Sequence, residues 1–284
     1  MVAEVSNVGT LATVTGSLGP WPLVFAPYED RQVALVGLDL DMPSGVQDWR
    51  VEIREPGRPP RTLAGRLGVG PRTFSVQRLT LPRGMVDLDP ETEHRANAES
   101  ARLRSLYRTI TTERLWRGPF VKPVAGDEPG TGFGARRVIN GQLRAPHTGV
   151  DYRAPTGASV RAANAGRVAL VDEFFFPGRL VVIDHGLGLH TLYFHLDTVS
   201  VSEGQVVERG QGIGTVGATG RATGPHLHFG AHIGEARVDP TALLEVEIRG
   251  SEMGGLDWEM GGLERAPQAP PSLGAPRGTR DAPR

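Results

Sequence analysis

The chain has 284 residues, a formal net charge of −1 and no cysteine. That length leaves room for about two domains, and the near-zero charge gives no reason to expect nucleic acid or a strongly attracted membrane surface as partner. No apolar stretch approaches transmembrane length, and the lack of thiols excludes disulfides, cysteine nucleophiles and cysteine-ligated metals.

The opening M-V-A-E-V-S-N-V-G-T carries Glu4 and no basic segment ahead of an apolar run, so it does not read as a signal peptide. Residues 1–86 read as an N-terminal β domain. V-A-L-V-G-L-D-L (33–40), W-R-V-E-I-R (49–54) and F-S-V-Q-R-L-T-L-P (74–82) have strand patterning, punctuated by Gly and Pro turns. An antiparallel β-sandwich is expected, with an immunoglobulin-like arrangement the first candidate. Trp21 and Trp49 are expected in its core rather than as carbohydrate platforms.

Residues 87–113 change to a connecting helix. Asp89-Pro90-Glu91 supplies an N-cap, a first-turn proline and an acid at the positive helix end. Leu103, Leu106, Tyr107 and Ile110 then recur at helical spacing, so their stripe should dock on a neighbour. W-R-G-P-F-V-K-P-V (116–124) is too proline-rich for helix and leads, extended, into a β domain over 114–248. G-A-S-V (157–160) and G-Q-V-V (204–207) form a weak internal echo, each ahead of a glycine turn and another strand. The segment 249–284 turns rich in Gly, Pro and Arg and is expected to be a disordered tail.

The chemistry concentrates in H-T-G-V-D (147–151), T-L-Y-F-H-L-D (191–197) and H-L-H (226–228). Two imidazoles and a carboxylate leave a tetrahedral zinc one open position, the pattern of a catalytic site, where the ion acidifies bound water and polarises a carbonyl. On a strand His226 and His228 leave the same face, so one can bind metal while the other reaches a molecule held there. His147 and Asp151 would stand about 13 Å apart on an extended strand, too far to share one ion. The chain is therefore expected to bend or bulge at Thr148-Gly149-Val150, with Gly149 easing the bend. Spacing alone leaves open whether His226 is a ligand or a proton carrier.

Other features have plainer readings. His94 lies in a polar helical stretch and is expected to be solvated, His185 in D-H-G reads as a turn residue, and His190 and His232 have no partner at ligand spacing. The glycine run G-I-G-T-V-G-A-T-G (212–220) has no G-K-[ST] and no helix after it, so it offers no phosphate site. It reads as a strand and tight turn that bring the loop before His226 close to substrate.

Taken in order, F-G-A-R-R (133–137), H-T-G-V-D-Y-R-A-P-T-G (147–157), V-V-I-D-H-G (181–186), T-L-Y-F-H-L (191–196), V-G-A-T-G-R-A-T-G-P-H-L-H-F (216–229) and V-D-P (238–240) resemble the lysostaphin-type, LytM-like zinc endopeptidases. The resemblance covers about Phe133 to Leu244. It implies that His147, Asp151 and His228 bind one zinc ion per chain, and that His195 and His226 are the catalytic pair. It also implies a barrel-sandwich hybrid fold, the duplicated hybrid motif that the half-repeat resembles. Gly230-Ala231-His232 stands where the family commonly has an acidic residue, but all five metal and catalytic positions are present. This favours an active enzyme over the degenerate members that activate other wall hydrolases.

Three functions compete. The resemblance implies hydrolysis of peptidoglycan peptide cross-links, with the direct D-alanyl–diaminopimelate type (a D,D-endopeptidase) expected over glycyl-glycine bridges. That work places the protein in the periplasm or cell envelope. A biotinyl or lipoyl carrier needs a lysine at a hairpin tip, but Lys122, the only lysine, lies in the proline-bounded linker. A phosphotransfer domain has no need of Asp151 with H-x-H. A non-catalytic amidase activator remains as the alternative, as does a Gly-Gly endopeptidase; oligomeric state is left open.

Overall fold

The computed structural model describes residues 1–6, 8–9, 11–28, 31–125, 132–245 and 258–259. The expected disordered tail lies outside the described residues except at positions 258–259. The molecule is mainly β, as its patterning implies.

Seven strands open the chain: β1 (Val2–Val5), β2 (Thr13–Leu18), β3 (Trp21–Val24), β4 (Ala26–Tyr28), β5 (Arg31–Leu35), β6 (Gly45–Arg54) and β7 (Arg61–Val69). They make two sheets, one ordered β3-β2-β6-β7 and the other carrying β1-β5-β4. Between them lies an apolar core of Val14, Leu18, Leu23, Val51, Ile53 and Leu67 against Ala3, Val5, Ala34 and Val36. Every residue of β5 is buried, rather than every second one. The cause is burial on both faces: Ala34 and Val36 enter this core, while Val33 and Leu35 enter the larger core of the C-terminal region. A strand covered on both sides loses the alternation that marks a half-exposed one. Trp49 packs against this core as expected, half-buried and over Gly65, whereas Trp21 is half-buried outside it.

β8 (Val76–Leu79) leaves this sandwich. It pairs in parallel with β9 (Arg136–Ile139), 60 residues on from Val76 to Arg136 and far beyond any local turn. Between them runs α1 (Pro90–Tyr107), capped at Asp89, whose carboxylate accepts from the N–H of Glu91 and of Thr92 at 3.0 Å each. Leu103, Leu106 and Tyr107 pack on Leu170, Phe174, Leu180, Val182 and Leu192, so the expected stripe docks on a sheet as far as Tyr107, where the helix ends; Ile110 lies beyond it and outside this cluster.

The remaining strands are β10 (Gln142–Leu143), β11 (Gly149–Arg153), β12 (Ser159–Arg161), β13 (Gly166–Phe174), β14 (Gly178–Gly186), β15 (Leu189–Val199), β16 (Val206–Val207), β17 (Gly212–Val216), β18 (His226–Ile233) and β19 (Ala236–Val238). The main sheet runs β11-β18-β15-β14-β13-β16, with the β12–β17 pair attached through β15. Within it the sequence echo becomes an exchange: β12 of the first half pairs with β17 of the second, and β16 of the second with β13 of the first. The matching hydrogen bonds are Gly157 N–H to Val216 O and Gly204 N–H to Val168 O, both 2.8 Å. A last short strand, β20 (Trp258–Glu259), pairs with β1, so these two residues of the expected tail are placed in a sheet.

The sandwich is tied to this sheet by charge as well as apolar contact. Arg237 on β19 donates from its backbone N–H, Nε and Nη2 to the Asp39 carboxylate at 2.9, 3.0 and 2.7 Å. Burial opposes ionisation of Asp39, but the Arg237 hydrogen bonds outweigh it and hold the carboxyl below its usual range.

The sheet also buries three histidines away from H-T-G-V-D. His185 is in β14, not in a turn, with Nδ1 at 2.8 Å from Ala165 O and Nε2 at 2.7 Å from Thr191 Oγ1. His190 and His232 face each other across β15 and β18, and the Tyr107 ring stacks on His232 at 3.9 Å. Burial holds His185 down to about 4 and His232 to about 3. The unfolded chain, with histidine near ~6.5, therefore takes up protons first as pH falls, and stability must drop below that value. Urea unfolding should show a falling midpoint between pH 7 and 5, above the carboxylate range. The drop should be shallower in His232→Phe, which keeps the ring under Tyr107; an equal slope in that variant would remove His232 from the effect.

Candidate metal centre

β11 and β18 set the site by register. Asp151 stands directly opposite His228, and Arg153 opposite His226. His226 and His228, two apart on β18, therefore project from one face, as expected. His147 precedes β11 and is anchored separately: its N–H donates to Ala135 O at 2.9 Å, and its carbonyl accepts from Gly134 N–H at 2.8 Å. His147 thus lies just ahead of the strand, while Asp151 is within it. Gly149 has a different role from the one expected, since it starts the strand without a left-handed φ. A Cβ there would meet the Phe229 carbonyl and would lie 2.7 Å from His228 Nε2. The absent side chain is the slot that the His228 ring occupies.

Three donor atoms converge. His147 Nε2, Asp151 Oδ1 and His228 Nδ1 lie 2.9 Å from one another in every pair. Atoms so spaced sit about 1.7 Å from their common centre, compatible with the ~2.0–2.2 Å bonds of a divalent ion, so these three residues would hold one. The donor set of two imidazoles and one carboxylate suits zinc. Among the described residues these three form the cluster able to hold a metal.

The surroundings prepare each donor. His147 Nδ1–H donates to Gly132 O at 3.1 Å, which leaves Nε2 with its lone pair free for an ion. The Phe194 ring lies parallel to His228 at 5.2 Å and fixes its plane. Burial lowers His228 to about 4 against the opposing charge of Asp151, so its ring is neutral at physiological pH. The other Asp151 oxygen, Oδ2, faces the Arg137 guanidinium at 3.3 Å. Burial opposes ionisation of Asp151, but hydrogen bonds from His147 and His228 outweigh it and keep the carboxyl well below its usual range.

The remaining two histidines stand beside this cluster. His226 Nε2 is 3.9 Å from Asp151 Oδ1, and its Nδ1–H donates to Gly224 O at 2.8 Å. His195 lies 4.7 Å from His226 between ring centroids, with its Nδ1–H donated to Thr219 O at 2.8 Å. His195 has φ +63, a left-handed conformation that a non-glycine residue adopts only under constraint. The constraint is a bulge: Val181 pairs with Tyr193 but Arg179 with Leu196, so β15 carries one residue more than β14. The extra residue turns His195 toward the cluster instead of along the pleat. Burial, joined by the neighbouring His226 and His228, lowers His195 to about 3, so it too is neutral.

All five residues singled out from sequence therefore meet in one place, and the plain reading of His94 holds, since it is exposed on α1. The glycine run contains the expected strand, β17, followed by a turn. It lets the loop lie against neighbouring backbone: Gly220, at φ +69, packs its Cα on Gly178, which brings Thr219 under His195. Three residues escaped the sequence reading. Arg137, Phe194 and Thr219 act through partners separated in sequence, and no local spacing reveals an arginine whose carboxylate is 14 residues away across a hairpin.

Fold and site together define a protein with a His/His/Asp cluster able to hold a metal on a β-sheet and two further histidines beside it. Residues 145–240 match the sequence profile of Peptidase family M23. A Pseudomonas aeruginosa crystal structure described as a candidate peptidase M23 is 31% identical over 86% of this chain and 92% of its own, with a TM-score of 0.65. The chain belongs to peptidase family M23. It is also 41% identical over 111 residues to the peptidoglycan DD-endopeptidase ShyB of Vibrio cholerae, covering 38% of this chain and 26% of that one. The DD-carboxypeptidase/endopeptidase Mpg of Neisseria meningitidis is 45% identical over 97 residues, 34% of this chain and 22% of its own. The matched region thus spans about a quarter of the length of these curated relatives.

The slot at Gly149 yields a test that removes no ligand. Gly149→Ala should push the His228 ring out of line and weaken retention of the bound divalent ion by about 10–100-fold, the scale seen when support of a ligand is lost. Competition with a chromophoric chelator measures this. Unchanged affinity with an unchanged fold by circular dichroism would mean the ring can be held elsewhere.

Proposed function

We propose that this chain is a zinc-dependent endopeptidase that hydrolyses peptide cross-links of bacterial peptidoglycan in the cell envelope. The observation that carries the reading is the convergence of His147, Asp151 and His228 at 2.9 Å with two more histidines alongside. Zinc, when bound, would polarise the scissile carbonyl and acidify a water. The protein's own part is proton handling. His195 and His226 each spend Nδ1–H on a backbone carbonyl, so each keeps a basic Nε2 for a proton taken from water or returned to the leaving amine. The same groups, once protonated, donate to the oxyanion of the tetrahedral intermediate.

The D,D preference rests on the names of the relatives from Vibrio and Neisseria. Among the described residues no helix is long and apolar enough to cross a membrane. The division into an N-terminal β domain (1–86), a connecting helix (87–113), the peptidase domain (114–248) and a tail (249–284) forms part of the same proposal. In it, the N-terminal domain positions or shields the groove.

Two variants separate the roles. Asp151→Ala should lose zinc and activity together, as read by elemental analysis after dialysis. His226→Ala should keep its zinc and lose turnover by about 100-fold or more. Loss of metal in step with activity in His226→Ala would make His226 a ligand instead. Digestion of purified sacculi from both wall types, with mass analysis of released muropeptides, tests the substrate. Release from direct cross-links is expected; cleavage confined to pentaglycine would transfer the assignment to Gly-Gly bridges, and no release by the zinc-loaded protein would point to an activator.

A further inference from the structure

Beside the candidate metal centre two arginines stand where cross-strand chemistry argues against them, and a third joins them from a loop. The β9–β10 hairpin pairs Ile139 with Gln142 and Val138 with Leu143, and continues with Arg144 N–H donating to Arg137 O at 2.9 Å. Arg137 and Arg144 are therefore opposite each other and leave the same face of the hairpin. Like charges in that relation are destabilising. Arg221 joins them from the loop between β17 and β18, and the positive charges of Arg137 and Arg144 both disfavour its own, after the larger effect of burial.

The acids nearby do not balance this charge. Asp151 Oδ2 meets Arg137, but Asp151 is also a proposed metal ligand. Asp87 approaches Arg144 at 3.7 Å and is largely exposed. Arg221 rests on the Phe176 ring, 4.1 Å from its centroid, and reaches the Met85 carbonyl at 3.5 Å. No ion pair to Arg221 occurs among the described residues. Arg144 Nε is buried without a hydrogen-bond partner. The group also borders the reacting side: Arg221 is two residues from Thr219, the acceptor that holds His195.

From this juxtaposition we infer that Arg144 and Arg221, backed by Arg137, form a wall that binds a carboxylate of the peptide substrate next to the scissile bond. A guanidinium pairs a carboxylate through two parallel N–H donors; Arg144 gives one Nη2 donor to Gln142 Oε1 at 2.7 Å, and Arg221 meets a carbonyl and a ring but no carboxylate among the described residues. The inference deepens the endopeptidase reading and rests on it. In a direct D-alanyl–diaminopimelate cross-link the carbon that carries the scissile nitrogen also carries a free carboxylate. A polyglycine bridge carries none within its length. The wall thus assigns the preference for one wall chemistry to named residues.

The test uses the full zinc-loaded chain and two synthetic cross-linked peptides, identical except that the carboxylate beside the scissile bond is free in one and amidated in the other. Calorimetry gives the affinity for each, and steady-state kinetics gives kcat and KM. The parent should bind the carboxylate peptide about tenfold or more tightly than the amide, with the difference shrinking at high salt. Arg144→Gln and Arg221→Gln should each reduce that ratio toward one, with the kinetic loss falling on KM for the carboxylate peptide. Arg221→Lys should restore part of it, which distinguishes charge from packing. Equal binding of both peptides by the parent, or a ratio unchanged in folded variants with full zinc content, overturns the wall. If the parent cleaves neither peptide the endopeptidase reading fails, and the binding ratio still decides this one.

Discussion

Three electron-rich atoms held 2.9 Å apart are the constraint around which this molecule is organised. Two imidazole nitrogens and a carboxylate oxygen with lone pairs turned inward repel one another, and burial raises the cost of leaving them so. A cation between them would convert that cost into binding energy, which would link folding to ion affinity. Rigidity is the requirement, and the register of β11 against β18 supplies most of it by placing Asp151 opposite His228. Gly149, Phe194, Arg137 and the Gly132 carbonyl then remove the remaining freedom of the three side chains.

The side that carries His195 and His226 is built with looser means and more strain. His195 cannot face the cluster from a regular position of β15, because the pleat would turn it away. The bulge and its left-handed φ re-aim it, and the loop ending in Thr219 holds the ring where the bulge has put it. Strain of this kind persists only where surrounding structure over-determines it. Here Leu196 and Tyr193 on either side are fully buried, so the strand cannot slip to relieve His195.

The N-terminal sheets also contribute to this rigidity. β5 serves two cores at once, and β8 crosses over to become the neighbour of β9, the strand that carries Arg137. Gln77 on β8 accepts from Arg137 Nε at 3.3 Å, so the N-terminal part of the chain reaches the residue that steadies Asp151. Phe74 meets Phe133 edge to face at 6.4 Å just ahead of the segment that anchors His147.

Much of this was legible from the residues themselves. The cap at Asp89 and Pro90, the stripe of Leu103, Leu106 and Tyr107, and the strand character of the rest follow from local backbone chemistry and periodicity, which any stretch of chain carries with it. The candidate ligands were equally legible, because few residue types bind a divalent ion and their order matched a known pattern. Tertiary structure alone decided the rest. Whether His185 sits in a turn or a core, why β5 is buried throughout, what Gly149 makes room for, and which carboxylate Arg137 meets all depend on partners tens of residues distant. The bulge at His195 depends on a count of residues in two strands at once. Sequence patterning records how one segment divides apolar from polar surface; it does not record which segment covers it, and at this site the covering segments set the geometry.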